Sequence, residues 1–363
     1  MNLITDTILD HADFTGHPVF TPELCLNRRQ RRYPCTACAE ICPHGVFPLQ
    51  SGGNLQWDRC TDCSLCVSAC PARALAPSAQ TNRQYTQTLQ EAAPVRLSCR
   101  KEEQRGELHV GCLSSVPWEL LAVLALRGEL ILCMRGCEDC SRQEQRRLLG
   151  ENLQSLRDFL GEEGFARQVR LIRSGEEIPQ VQKAPPSEKA VTRRELFSGI
   201  RKTLTRQAAE KVSKRLPFLA EDASDGMWIR RLLAESVRTA TATPSEGEQG
   251  VRPFALSLPR FNTSCFGCGI CEKICPHKAI SIRREERGTR LVYMEPWKCS
   301  ACTLCVKLCP HGGLDALAPV ALPHLGKLPL VRVKSLSCAE CGTVLLPGTE
   351  PPLCRRCAAK RKA

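Results

Sequence analysis

Cysteine spacing constrains this chain more than any other feature of its sequence, which has 25 cysteines among 363 residues. In three runs, four cysteines are separated by two, two and then three residues, and a proline follows the fourth. The runs are Cys60, Cys63, Cys66, Cys70 and Pro71; Cys265, Cys268, Cys271, Cys275 and Pro276; and Cys299, Cys302, Cys305, Cys309 and Pro310. This spacing is typical of loops that wrap one [4Fe–4S] cluster and send the fourth thiolate to a second. We therefore predict iron–sulfur clusters, which carry electrons one at a time.

The last two runs lie in a segment, residues of about 254–318, that resembles the bacterial two-cluster ferredoxins. Ala279–Arg284 and Arg290–Glu295 alternate like strands around a polar turn, as the hairpin of that family requires. The resemblance implies that each cluster takes three cysteines of one run and the last cysteine of the other. It implies a Cys265 set, formed by Cys265, Cys268, Cys271 and Cys309, and a Cys299 set, formed by Cys299, Cys302, Cys305 and Cys275. We expect this C-terminal dicluster module to span residues 254–322.

Residues 1–80 resemble a second module of the same kind, with one departure. The intact run implies a Cys60 set, formed by Cys60, Cys63, Cys66 and Cys42. The other run has no leading cysteine, because Arg32 stands in its place and a guanidinium is not an iron ligand. We expect Cys25 to substitute for it, which gives a Cys25 set formed by Cys25, Cys35, Cys38 and Cys70. The alternative is a three-iron cluster with Cys25 unligated.

Residues 94–175 are predicted to form a small α/β domain. Short apolar segments at Val95–Cys99, Glu107–Cys112, Glu129–Met134 and Gln168–Ile172 alternate with helical segments, one of them over about 141–160, and this order implies a parallel sheet. Ligands gather beyond the carboxyl ends of such strands. Position therefore brings together a Cys99 set, formed by Cys99, Cys112, Cys137 and Cys140.

The same segment resembles the delta subunit of methyl-viologen-reducing hydrogenase, which implies a [2Fe–2S] cluster. The resemblance depends on Gly111–Cys112, Gly136–Cys137 and Asp139–Cys140 and on the helices that follow them. This chain has Cys99 alone where that family tends to have a cysteine pair. The alternative is a structural domain with reduced buried thiols, and Cys133 can be either a ligand or an ordinary core residue.

Residues 331–363 carry a tail set, formed by Cys338, Cys341, Cys354 and Cys357. Two CxxC pairs that lie twelve residues apart suit a tetrahedral four-thiolate site and resemble a minimal zinc ribbon, so we expect zinc rather than iron. A tail of this length cannot fold on its apolar core alone, and the metal must supply folding free energy. The tail can be a structural staple or a basic partner-binding element.

Residues 176–253 are predicted to form a basic helical segment and a linker. Thr192 and Glu195 form a capping-box pattern, and arginines and lysines line the helix that follows to about residue 215. A second helix is predicted over Met227–Arg238. A basic amphipathic helix suits an acidic partner or peripheral contact with a membrane surface, and a solvated helix packed on its own domain is an equal alternative.

The formal net charge of +13 would suggest a nucleic-acid partner, but it counts cysteines as neutral. A cubane or a zinc ion with four thiolates carries roughly −2, so four cubanes and one zinc bring the total to about +3. We expect no nucleic-acid partner. The most apolar stretch, Val116–Met134, is broken by charges, and the first fourteen residues lack a basic signal segment. With cysteines at metal-ligand spacing rather than in disulfides, we expect a cytoplasmic protein without a membrane span.

The predicted fold class is an α+β multidomain protein, with two ferredoxin-like dicluster modules, a small α/β parallel-sheet domain between them and a C-terminal zinc ribbon. The expected cofactors are four [4Fe–4S] clusters, one zinc ion and one [2Fe–2S] cluster. We find no dinucleotide fingerprint, P-loop or nucleophile motif. We therefore predict an electron-transfer protein that serves hydrogenase, formate dehydrogenase or other reductase subunits in anaerobic metabolism. The alternatives are a maturation factor or redox sensor for a metalloenzyme, and an enzyme that reduces disulfides with the middle-domain cysteines.

Overall fold

The structure is a computed structural model. It describes residues 16–30, 34–48, 54–91, 93–179, 226–242, 254–285, 288–322, 327–345, 349 and 352–362. The predicted basic helix of residues 192–215 lies outside the described residues, as do Arg32, the first fifteen residues and most of the linker before residue 254.

The N-terminal module consists of short elements that alternate with cysteine loops. Strand β1 (Val19–Phe20) pairs antiparallel with β2 (Leu75–Ala76), so the chain that leads to Cys25 lies beside the chain that follows Cys70. The helices of this module are α1 (Leu26–Arg29), α2 (Ala37–Ile41), α3 (Leu65–Ala69) and α4 (Ala79–Thr88). The first three each begin directly beside or between cysteines and turn apolar side chains into a shared core.

The middle domain has the predicted parallel sheet. Its strands are β3 (Val95–Cys99), β4 (Leu108–Val110), β5 (Leu130–Cys133) and β6 (Val169–Ile172), in the order β4-β3-β5-β6. All three pairings are parallel. Helix α5 (Trp118–Arg127) connects β4 to β5 and is almost entirely buried. The loops after β3, β4 and β5 therefore open at the same edge of the sheet, where the Cys99 set was expected.

Two further helices cover this domain. Helix α6 (Gln143–Gln168) is interrupted at Gly161, whose φ of 72° and ψ of 162° are not helical, so its first part ends where the sequence predicted. Helix α7 (Trp228–Ala242) extends beyond the predicted end at residue 238. Trp228, Ile229 and Leu233 of α7 are buried in the same core as α5 and the C-terminal module. The helix thus packs between two parts of the chain rather than standing in solvent.

The C-terminal module is built around two antiparallel pairings. Its elements are β7 (Phe254–Phe261), α8 (Ile270–Ile274), β8 (Ile280–Arg284), β9 (Thr289–Met294), α9 (Leu304–Lys307) and β10 (Leu314–Leu322). Strands β8 and β9 form the predicted hairpin. Strand β7 pairs with β10 and closes the module at its other side.

The tail begins later than its predicted boundary. Strand β11 (Leu328–Lys334) pairs with β9 as a third strand of the C-terminal module, so residues 331–334 do not belong to the tail fold. The tail itself has the small hairpin of β12 (Leu336–Ser337) and β13 (Val344–Leu345), followed by helix α10 (Arg355–Lys362). None of the helices among the described residues is both long and apolar enough to cross a membrane.

Candidate metal centres

The three complete cysteine runs share one backbone geometry. In each, the second and fourth residues after the leading cysteine have positive φ values of 49–86°. These residues are Asp62 and Ser64, Gly267 and Gly269, and Ala301 and Thr303. The left-handed conformation costs roughly 1–2 kcal/mol for a residue other than glycine. Four of the six residues are not glycine and adopt it nevertheless. This indicates that the loops are held in a shape that turns several thiols toward one centre.

The fourth cysteine of each complete run accepts a hydrogen bond from the backbone four residues later. The N–H groups of Ala74, Ala279 and Gly313 donate to the Sγ atoms of the matching cysteines at 3.2–3.3 Å. The acceptors are Cys70, Cys275 and Cys309. Such bonds stabilise the thiolate form, and hydrogen bonds to the sulfurs are among the factors that set cluster reduction potentials.

In the C-terminal module the sets implied by the resemblance surround separate cavities. One cavity is lined by all four members of the Cys265 set and the other by all four members of the Cys299 set. Burial raises the pKa of Cys271 to about 12 and that of Cys299 to about 11, and neighbouring thiolates add to the shift at Cys271. A thiolate in such a place needs nearby positive charge. Bound iron would provide it, so the donors fit a cluster.

In the N-terminal module Cys25 lies where the sequence argument expected it. Cys25, Cys35, Cys38 and Cys70 line one cavity. Asn27 ties the two loops together, because its Nδ2 donates to the carbonyl of Cys35 at 2.9 Å and its Oδ1 accepts from the Cys35 N–H at 3.4 Å. The residue that follows Cys35 also differs from its counterparts: Thr36 has a φ of −115° instead of the left-handed value found at the equivalent position of the complete runs.

The Cys60 set is also drawn together. Burial raises the pKa of Cys66 well above its ordinary value, and the charges of Cys63, Cys38, Cys42 and Cys60 raise it further. Cys66 is buried, while the other three members of the set are half-buried. The influence of Cys38 on Cys66 places the Cys25 and Cys60 sets near each other, as in a dicluster module.

The Cys99 set lines one cavity at the carboxyl edge of the parallel sheet. Burial raises the pKa of Cys137 to about 12, with further contributions from Cys99 and Cys112. Cationic side chains also line the cavity: Arg100, Lys101, Arg142 and Arg146. Cys133 is buried in β5 and does not line it. The arrangement suits an anionic four-thiolate centre and leaves Cys133 as a core residue.

The tail set is much tighter than the others. Among the described residues it is the one group of three or more thiol, imidazole or carboxylate side chains whose ligand atoms all lie within 4.8 Å of one another. The Sγ atoms of Cys341 and Cys354 are 3.6 Å apart. Tetrahedral zinc with Zn–S bonds of about 2.3 Å requires S···S distances of about 3.8 Å. The tail spacing thus fits a single ion, whereas the other sets surround wider cavities.

The tail backbone adds local support for an ion. Gly342 has a φ of 68° and its N–H donates to the carbonyl of Cys338 at 2.9 Å, which closes a tight turn after the first CxxC pair. Backbone N–H groups near Cys341 and Cys354 lower the pKa of Cys338 to about 6. A thiolate at Cys338 is therefore already favoured before any metal binds.

Comparisons with known protein families support the two ferredoxin-like segments. Residues 264–313 match the family model described as a 4Fe-4S dicluster domain, and residues 55–76 match a 4Fe-4S binding domain. The chain contains two ferredoxin-type 4Fe-4S domains. No curated protein matches the chain. The family matches cover the loops of the Cys60 run and of both C-terminal runs, and they do not extend to the middle domain or the tail.

One charged group that sequence reasoning missed lies between the modules. Glu119 of α5 is 1% exposed and pairs with Arg73 at 2.5 Å and with Arg230 of α7 at 2.9 Å. Burial alone would raise the pKa of Glu119, but the two guanidinium groups outweigh it and hold the pKa below its ordinary value. Arg230 also donates to the carbonyl of Trp297 at 3.1 Å, two residues before Cys299. A charged residue in an apolar helix was the only sequence signal for this network.

Proposed function

We propose that this protein relays electrons between redox proteins through four [4Fe–4S] clusters. The observation that carries the proposal is the gathering of sixteen cysteines into four groups of four, three of which line separate cavities. The family matches at residues 55–76 and 264–313 support the same chemistry. The Cys25, Cys60, Cys265 and Cys299 sets would hold the clusters, which when bound supply one-electron exchange.

The surrounding protein contributes burial and positive charge. Leu65 and Leu304, each fully buried beside a cysteine loop, keep water away from the thiols. Burial raises the pKa of both Cys70 and Cys299, and the positive charges of Arg73 and Arg230 oppose part of that rise. Positive charge next to a thiolate also stabilises the extra electron of a reduced centre. We therefore expect these arginines to raise the reduction potentials of the sets that they adjoin.

The Cys99 set is proposed to hold a further redox centre, a [2Fe–2S] cluster, in a domain similar to the hydrogenase delta subunit. Its cationic cavity lining would offset the charge of four thiolates. The raised pKa of Cys137 favours a ligand over a nucleophile, because a thiol with a pKa of about 12 is protonated at neutral pH. This observation supports a redox relay over direct disulfide reduction by the middle domain.

The partners that fit a protein of this kind are hydrogenase, formate dehydrogenase or other reductase subunits in a reducing cytoplasm. The tail set is proposed to hold zinc in a ribbon that stabilises the C-terminus. Arg28, Arg29, Arg31 and Arg32 form a basic run between Cys25 and Cys35. Two of them make internal contacts, because Arg28 lies over the Phe20 ring and Arg29 donates to the carbonyl of Ile274. Partner attraction would therefore depend on basic residues elsewhere as well.

The proposal can be tested by stopped-flow absorbance. The protein is purified anaerobically, reduced and mixed with candidate oxidoreductases. The measured quantity is the recovery of the cluster absorbance that reduction had bleached. We expect recovery to be faster with a true partner than with a free dye, and to slow as salt screens the attraction between basic and acidic surfaces. A chain that exchanges electrons with no partner faster than with the dye would exclude the relay and favour a maturation role.

A further inference from the structure

The two dicluster modules, far apart in sequence, contact each other directly. His277 Nε2–H donates to the carbonyl of Ala72 at 2.7 Å. Each of these residues is the second after the fourth cysteine of its run, because Ala72 follows Cys70 and His277 follows Cys275. The equivalent Cys-Pro turns of the two modules therefore meet at this hydrogen bond. Arg29 adds a second link through the carbonyl of Ile274 at 3.4 Å.

Apolar packing reinforces this interface. Leu304 of the C-terminal module is fully buried, and it belongs to the core cluster of the N-terminal module with Leu26, Ile41 and Leu65. Ile274, Cys302 and Leu308 pack against the same cluster. Because Leu304 lies between Cys302 and Cys305, the start of α9 and the cysteine loop that leads into it are seated in the N-terminal core. The contact thus involves the loop of the Cys299 set itself and not a peripheral surface.

The interface also identifies which sets face each other. Ala72 lines the cavity of the Cys25 set, and His277 and Leu304 line the cavity of the Cys299 set. The cavity of the Cys265 set is lined by none of the residues that make these contacts. The Cys25 and Cys299 sets are therefore the inner pair.

We propose that the four sets form one row across both modules, in the order Cys265, Cys299, Cys25 and Cys60. This inference rests on the proposed function and specifies its route. Transfer of one electron from a reduced one-electron carrier protein would oxidise that carrier and reduce the cluster that a set at one end of the row would hold. Each further transfer between neighbouring sets would oxidise one cluster and reduce the next by one electron, with no bond made or broken. Different partners would dock at the two ends of the row.

Magnetic coupling between reduced clusters tests the order. A variant with Cys268 and Cys271 both changed to alanine leaves the Cys265 set with two ligands, too few to hold a cluster, so the Cys299 set loses its neighbour in the same module. If the row is continuous, the fully reduced variant has no isolated cubane signal in electron paramagnetic resonance, because the Cys25 set still couples to the Cys299 set. An isolated signal of about one spin per chain would overturn the row.

A matched variant interrupts the row from within. A variant with Cys35 and Cys38 both changed to alanine should leave the Cys265 and Cys299 sets coupled as a pair and remove any coupling between that pair and the Cys60 set. If the spectra of the Cys60 set and of the pair still split each other in this variant, the proposed order is wrong. Iron analysis distinguishes a failure of the proposed function from a failure of the row. Wild-type protein without cubane iron would contradict the proposed function. Protein that contains the cubane iron but gives an isolated signal would contradict only the row.

Leu304→Ala provides a test that keeps all sixteen ligands. It removes apolar contact at the interface and should loosen the seating of α9 in the N-terminal core. After rapid mixing with a partner that docks at one end, wild-type protein should bleach in one phase. In the variant, about half of the bleaching amplitude should move to a slower phase, since two of the four sets lie beyond the interface. Unchanged single-phase bleaching would overturn the proposed route.

Discussion

Nine residues separate Cys25 from Cys35, outside the spacing that the complete runs share, and yet both line the cavity that also contains Cys38 and Cys70. Spacing along the chain is therefore not what makes Cys25 a candidate ligand. The Asn27 hydrogen bonds to Cys35 and the pairing of β1 with β2 bring it there. Its assignment to a cluster stays a prediction, and the three-iron alternative predicts a different outcome for its removal.

We expect Cys25→Ala to convert one cubane into a three-iron cluster or to lose it, because one of four thiolates is removed from the cavity. Iron analysis together with electron paramagnetic resonance of oxidised protein measures the change. Cys133→Ala is the matched control, since Cys133 is buried in β5 and lines none of the four cavities described above, so its removal should leave the iron content unchanged. Full iron content in the Cys25 variant would show that Cys25 is not a ligand.

Glu119 illustrates how one side chain can join several parts of the molecule. It stands on the middle domain, Arg73 on the N-terminal module, and Arg230 on α7, which itself contacts the C-terminal module. The buried Arg230 and the partly buried Arg73 share this one carboxylate. Removal of that carboxylate leaves both cations uncompensated in a place that is largely shielded from water.

We expect Glu119→Ala to lower the free energy of unfolding by about 3–5 kcal/mol, the usual cost of breaking a buried ion pair. Anaerobic urea unfolding followed by circular dichroism and cluster absorbance measures it. Glu144→Ala is the control, because Glu144 is exposed and its ion pair with Arg147 contributes at most about 1 kcal/mol. Equal effects of the two substitutions would contradict the structural role of Glu119.

At the scale of elements, the tail contrasts with the modules that precede it. Its core cluster consists of Leu345 and two of the cysteines, Cys338 and Cys357, with Leu353 and Cys354 packed against it. A core of this size contributes little stability. By comparison, β11 extends the hairpin of the C-terminal module and is held by that sheet. The tail fold after β11 should therefore depend on a metal ion, and the rest of the chain should not.

We expect Cys341→Ser to release one zinc ion and unfold only the tail, leaving cluster spectra intact, because metal binding in such small sites supplies about 10–16 kcal/mol of apparent folding free energy. Zinc analysis and limited proteolysis check both parts. Lys360→Ala is the control, since it truncates an exposed side chain of α10 that is not part of the tail set. Loss of cubane absorbance in the Cys341 variant would place the tail within the electron-transfer core.

At the scale of the whole molecule, shared cores unite segments that the sequence separates. One core runs from the middle domain through α7 to the C-terminal module, and a second joins the N-terminal module to α9. Asn152 of α6 also donates to Ser68 Oγ of the N-terminal module at 2.9 Å. The modules are therefore expected to behave as one body, with fixed distances between the cysteine sets.

We expect anaerobically purified protein to contain about sixteen irons in cubanes, four in each of four sets. Iron and acid-labile sulfide analysis, with Mössbauer spectroscopy to separate cubanes from a [2Fe–2S] cluster, measures this number. A variant with Cys63 and Cys66 both changed to alanine should lose about four irons. A wild-type content near eight would remove the N-terminal module from the proposed relay.

The sequence alone was sufficient for the chemistry and for much of the local structure. Cysteine spacing predicted the ferredoxin-type domains that the family matches support, and alternating apolar segments predicted the parallel sheet and the β8–β9 hairpin. These features depend on residues close together in the chain, where loop length and period determine geometry. Which cysteines bind each cluster remains predicted, although three cavities group the Cys25, Cys265 and Cys299 sets in the same way.

Only the tertiary structure decided how the modules meet. The His277–Ala72 hydrogen bond joins residues 205 positions apart, and the Arg230–Glu119 pair joins residues 111 positions apart. No pattern within either segment signals such a partner, because the contact depends on how whole faces pack. The later start of the tail fold has the same cause: β11 finds its partner in β9, and that pairing is a property of the sheet rather than of the tail sequence. The cysteines thus determine what the chain can bind, and packing between distant segments determines the order in which those sites lie.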